Sequence, residues 1–186
     1  MNKVLFFALA KHQHLYFQRL LDETELDGKV MTPAKLPWPR PWQLSRVAKR
    51  IDWLQLIADK CRERRVKRKY DGGLYRFLLR VELAWVALRV QALLAREQPL
   101  NIAMWNGSHR YCQLLLSLLP GNCQTFFFEN GLLPDTTTLD PKGVNYRNSV
   151  PRDAAFYRDY QATVDDRETR VDLIPRKPRN TGLVEI

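Results

Sequence analysis

The sequence predicts an α/β fold centred on a Rossmann-like parallel sheet, and three observations carry that prediction. Short apolar runs of strand length lie at residues 3–9, 101–105 and 124–128, and a turn closes each of the last two at once. Segments of helical spacing separate the runs, and strands joined through helices lie parallel. The chain has 186 residues, 45% of them apolar, enough for one hydrophobic core.

Residues 3–9 read as a buried first strand. Lys3 and the run up to Ala8-Leu9-Ala10 faintly suit a secretory leader, but the run is of minimum length and the strand is the reading adopted. Leu15, Tyr16, Leu20 and Leu21 give helical spacing over 11–23. Asp27-Gly28 marks a turn, and Lys29-Val30-Met31 makes a short second strand. Four prolines between Pro33 and Pro41, with Trp38 among them, make a rigid connector that is neither helix nor central strand.

Residues 43–69 read as one long helix with Trp53, Leu54, Leu56 and Ile57 on its apolar side, broken by Asp71-Gly72-Gly73. A second helix follows from Leu74 to Arg96, and Pro99 closes it. Arg76, Arg80, Glu82 and Arg89 interrupt it, whereas a membrane span needs about 20 nearly uncharged residues. It is therefore expected to pack in the core, and the two helices form a helical hairpin, 43–97, inserted between strands.

The pattern then turns to strand and helix in strict alternation. Asn101 to Trp105 is a strand, and Asn106-Gly107-Ser108 is a turn able to cap the helix His109 to Leu119, which Pro120-Gly121 ends. Gln124 to Phe128 is the next buried strand, and Glu129-Asn130-Gly131 its turn. Ligands of parallel sheets sit beyond the carboxyl ends of strands. Three such ends are expected to converge: Ala10-Lys11-His12, Asn106-Gly107-Ser108 and Glu129-Asn130-Gly131. One domain is expected over 1–163. Residues 164–186 form a polar, basic tail that reads as the start of a further domain.

A net charge of +10 favours anionic partners. Between Arg46 and Lys69 ten Lys and Arg stand against three Asp and Glu. Such a stripe suits anionic lipid headgroups or is a solvated helix face, and the sequence leaves both open. A nucleic-acid-binding module would use the same charge, but no motif for it is present and it leaves residues 129–152 unexplained, so nucleic acid is not expected as a partner. Cys61, Cys112 and Cys123 form no CxxC pair or even-numbered framework, which suits a reducing cytoplasm. His12, His14 and His109 have no Cys or carboxylate at ligand spacing, so no metal is expected. The absence of GxGxxG and GxxxxGK[ST] argues against a dinucleotide cofactor or a P-loop.

The chemistry concentrates between Glu129 and Arg152. Glu129 directly follows three phenylalanines, where a buried strand meets a cleft; partial desolvation there raises a carboxyl pKa and suits a general acid or base. A cap on a neighbouring helix or a pair with an arginine is the structural alternative. Thr136, Thr137 and Thr138 offer hydroxyls, and Asp140 a second carboxylate. Asn130, Gly131, Asn145, Asn148 and Ser149 can bond a sugar, and the planar fork of Arg152 suits its carboxylate. A self-bonded Ω-loop is the bland alternative. Asn106, Gly107 and Ser108 add a glycine that lets a ligand approach the backbone and a helix start that favours an anion.

Phe128-Glu129-Asn130-Gly131-Leu132-Leu133-Pro134, Thr136-Thr137-Thr138-Leu139-Asp140, Gly143-Val144-Asn145 and Asn148-Ser149-x-Pro151-Arg152 together resemble bacterial capsule polysaccharide biosynthesis proteins of the KpsS/LipB type, related to retaining β-Kdo transferases. Trp105-Asn106-Gly107 and the opening strand fit the same pattern. The likeness is specific over roughly residues 101–157 and loose before that. It implies the N-terminal half of a two-domain, GT-B-like glycosyltransferase that takes Kdo from CMP-Kdo and places it on a lipid-linked acceptor. The protein would be cytoplasmic and peripheral at the inner membrane. It further implies Glu129 as acid/base at the acceptor hydroxyl, with Asp140 a weaker candidate for the nucleophile of a double displacement. Capsule assembly proteins are the partners it implies, and a non-catalytic role among them is the second reading.

Overall fold

The computed structural model describes residues 4–131 and 136–159. Five strands form one sheet: β1 (Val4–Phe7), β2 (Gly28–Met31), β3 (Asn101–Trp105), β4 (Gln124–Asn130) and β5 (Thr137–Asp140), in the spatial order β2-β1-β3-β4-β5. The first four run parallel, and β5 pairs antiparallel with β4 at the edge. The helices are α1 (Lys11–Glu23), α2 (Leu44–Ala48), α3 (Trp53–Val66), α4 (Gly73–Glu97), α5 (Arg110–Leu118) and α6 (Ala154–Asp159).

Alternation along the strands builds two cores. Phe6, Ala8, Ala103 and Phe128 meet Phe17 of α1 on one face. Leu5, Phe7, Ile102, Met104 and Phe127 meet α4 and α5 on the other. The chain leaves β1 through α1 on the first face and leaves β3 through α5 on the second. Because β1 and β3 are neighbours, the direction of winding reverses between them, which opens a crevice at their carboxyl ends. The α/β class and the largely parallel sheet are therefore as the sequence predicts, and the arrangement is compatible with a Rossmann-like fold.

Several elements differ from the sequence reading. The expected helix over 43–69 is two helices. Ile51 turns into the core, and the Asp52 side chain accepts the Gln55 backbone N–H at 2.9 Å, starting α3 afresh. The proline connector holds two short 3-10 turns, Pro33–Lys35 and Pro41–Gln43, each entered by a proline whose missing N–H would be unpaired there anyway. His109 rather than Ser108 caps α5: its Nδ1 accepts the Tyr111 N–H at 3.2 Å, while the Ser108 hydroxyl donates to Asn106 Oδ1. Glu129 and Asn130 are not a turn but the last residues of β4, held there by pairing with Thr138 and Thr137. Within 43–97, α4 is a crossover helix of the core itself, with nine buried side chains. The tail expected over 164–186 and residues 132–135 of the resemblance lie outside the described residues.

Candidate functional site

At the carboxyl ends of β3 and β4, on the α5 side of the sheet, lies a cleft of about 450 Å³. Gln55, Leu56 and Asp59 of α3 form one wall, the Asn106-Gly107-Ser108 turn and Gln113 a second, and residues 142–145 with Arg147 a third; Phe127 is the floor. The turn closes tightly over that floor. Gly107 has φ +69°, and a Cβ there would lie 2.5 Å from the Phe127 ring, so only glycine fits both backbone and space. Asn106, at φ +63°, tolerates the same left-handed region. Gln113 reaches back one turn of α5 and donates from Nε2 to the Gly107 carbonyl at 2.6 Å.

Glu129 stands two residues beyond Phe127 on the same strand and hence on the same face. It is partly buried. Its Oε1 accepts Asn106 Nδ2 at 3.4 Å and Asn145 Nδ2 at 3.2 Å. Both donors line the cleft; Glu129 is not itself a lining residue and adjoins the cleft through these two amides. Among the described residues Glu129 makes no ion pair, and its second oxygen accepts no hydrogen bond. The carboxylate is thus held in place by neutral amides and not closed off by an arginine.

Asp140 has a different task. Its Oδ1 accepts the backbone N–H groups of Lys142 and Gly143, and its Oδ2 accepts both the N–H and the hydroxyl of Ser149. Those four bonds occupy the acceptor sites a carboxylate offers. Loss of hydration pushes its pKa up, but the Ser149 hydroxyl and the three backbone amides outweigh that and bring it down to about 2. A carboxylate so engaged is a poor nucleophile. The expected catalytic role of Asp140 gives way to a structural one: it folds the 140–149 loop that carries Asn145 to Glu129. Ser149 is consumed in the same network, and Asn148 donates its N–H to the Asn145 carbonyl. Arg152 Nη2 donates to that same carbonyl at 3.1 Å, which brings the guanidinium beside Asn145.

The remaining residues divide by strand face. Directly opposed residues of an antiparallel pair share a face, so Thr138, opposite Glu129, is the β5 threonine on the Glu129 side, while Thr137 and Asn130 face the other way. The Gly131 N–H donates to the exposed Thr136 at its carbonyl, 2.8 Å. The third expected strand end does not reach the cleft. Leu9 and Ala10 give their N–H groups to Gln13 Oε1, and the His12 ring meets Trp105 edge-on at 6.5 Å on the α1 face.

Gln55, Asp59 and Gln113 were not singled out by the sequence. Asp52, Gln55 and Asp59 recur at helical spacing and Gln113 lies four residues after His109, a periodicity that could have marked both. An adjoining hollow of about 230 Å³ shares Leu56, Asp59, Ser108 and Gln113 and adds Lys60, Glu63, His109 and Arg110. Burial, and then the Arg110 and Lys60 charges, hold the His109 pKa low. Glu82 of α4 accepts Arg110 Nη2 at 2.9 Å and the Tyr111 hydroxyl, bracing the first turn of α5. Among the described residues no group of three His, Cys, Asp or Glu could hold a metal ion.

Protein FixF of Sinorhizobium fredii is 32% identical to the chain over 92 residues, which cover 48% of this chain and 23% of that protein. The matched segment is therefore about a quarter of the relative's length. No family profile and no solved structure matches the chain.

Proposed function

We propose that the cleft is the acceptor side of a sugar-transfer site. In this reading the chain is the N-terminal Rossmann-like half of a GT-B-like glycosyltransferase of capsule polysaccharide biosynthesis, with CMP-Kdo as donor and a glycolipid as acceptor. The observation that carries the reading is the Glu129 carboxyl, fixed between two residues that line the cleft, Asn106 and Asn145, with one oxygen unengaged among the described residues. Once CMP has left and the sugar is held on an enzyme nucleophile, that oxygen takes the proton of the acceptor hydroxyl as the hydroxyl attacks the sugar and the sugar-to-enzyme bond breaks. Ser108 and Thr138 supply hydroxyls to the acceptor. The start of α5 and the Arg152 guanidinium favour an acidic sugar's carboxylate. The nucleophile of a double displacement is assigned to the other half, since Asp140 is saturated. Such an enzyme works at the cytoplasmic side of the inner membrane, beside its lipid acceptor and the capsule assembly proteins.

Titrating the ¹⁵N-labelled chain with a Kdo-bearing acceptor saccharide tests the site. Shifts are expected at the Gly107, Ser108 and Asn145 amides. Shifts confined to other surfaces, or none at millimolar saccharide, would remove the cleft from this account.

A further inference from the structure

The helix α4 is apolar on two opposite faces. Leu79, Leu83, Val86 and Val90 point into the core. Leu74, Phe77, Leu78, Val81 and Trp85 fall within one arc on the other side, at helical spacing, and all are exposed. A helix apolar all round is normally covered all round. Here the far end of that outer arc is covered by the chain itself: Arg89 donates to the carbonyls of Ala34, Leu36 and Pro37, which lays the 34–37 segment along α4. The same segment then presents Trp38, 84% exposed, edge-on against Trp85, and Trp42, four residues later in the chain, is 77% exposed.

We infer that this stripe, with Trp38 and Trp42, is a membrane-docking surface that lies in the interface of an anionic bilayer. The charges around it select that occupant. Arg68, Lys69 and Arg80 make no ion pair among the described residues, whereas the nearby acids are paired, Asp71 with Arg65 and Arg76 and Glu82 with Arg110. Tryptophan beside leucine and phenylalanine, rimmed by cations, is the composition of a helix lying in headgroups. No described helix is long and apolar enough to cross a membrane, so the surface rests on the bilayer. Of the basic stripe singled out in the sequence, the surface takes only the last two cations, Arg68 and Lys69. On α3, Lys60 and Lys67 are tied to Glu63, and Arg62 to Asp59.

The inference supplies the surface for the membrane association that the proposed function calls for, yet it stands on its own residues and its test needs no substrate, so either can fail without the other. Co-sedimentation with vesicles of phosphatidylcholine containing one third phosphatidylglycerol is expected to bind the chain at least about tenfold more tightly than phosphatidylcholine alone. The double substitution Phe77→Ser/Val81→Ser should lose at least about tenfold of that affinity, with its circular dichroism unchanged. In the unsubstituted chain, bromine-labelled lipid should quench tryptophan fluorescence, a readout that does not depend on how the variant folds. Equal binding to both vesicles, absence of quenching, or full binding by a folded double variant would overturn the proposal. So would a lipid-free dimer that the double substitution dissolves, which would assign the stripe to a second copy of the chain.

Discussion

Two neutral amides define the chemical character of Glu129. An arginine at that position would make the carboxylate a permanent ion-pair member; Asn106 and Asn145 orient it without bringing a charge to it. The contrast with Asp140, on the neighbouring strand β5, is one of environment and not of residue type. Asp140 lies below its ordinary value of 3.8, at about 2, because its loop bonds the charged form. A carboxyl depressed on folding stabilises fully above its unfolded value and loses that contribution as pH falls through the folded one. The 140–149 loop should therefore loosen as pH falls from 3.8 towards about 2. The Lys142, Gly143 and Ser149 amide resonances should report a midpoint near the lower figure; a midpoint at the ordinary value would contradict the network. The nature of these residues was legible in the sequence, but their division of labour was not. Spacing shows a carboxylate beside a cleft, whereas which amides reach it depends on how the loop folds back.

Elements were readable where burial and periodicity agree. β1, β3 and α4 fall where the apolar runs place them, because strands buried on both faces need nearly continuous apolar sequence. β5 was missed for the converse reason. Thr137-Thr138-Leu139-Asp140 is a half-exposed edge strand with no core face to give it a pattern, and Leu139 points to solvent. That omission also misplaced Glu129 and Asn130 in a turn, since only the partner strand reveals that β4 continues. The break between α2 and α3 was hidden by helix-compatible Lys49 and Arg50, which form the exposed turn just before the buried Ile51. Asp52 enforces the break as the cap of α3, and α3 in turn provides one wall of the cleft. Asp52→Ala should lower unfolding free energy by about 1 kcal/mol, read as a drop in urea midpoint at unchanged slope. No change would mean that packing alone starts the helix.

At the scale of the molecule, one helical layer links the two surfaces. α3 packs against α4, so the wall of the cleft and the exposed tryptophan stripe belong to neighbouring helices. A bilayer under α4 would hold a lipid-borne acceptor close to the protein that modifies it. The reversal of winding between β1 and β3 supplies the crevice, and the sequence announced it through the glycine turn after β3. The wall from α3 arrives only through tertiary packing, and no local pattern encodes that. Transfer of sugar from CMP-Kdo to a glycolipid should be measured in membranes supplied with the second half that the proposed function calls for, together with either the unsubstituted chain or Glu129→Gln. The substitution keeps the shape and both amide contacts. It should reduce turnover by about 10²- to 10⁴-fold at equal protein level and unchanged thermal midpoint. Turnover equal to that of the unsubstituted protein would show that this carboxyl moves no proton.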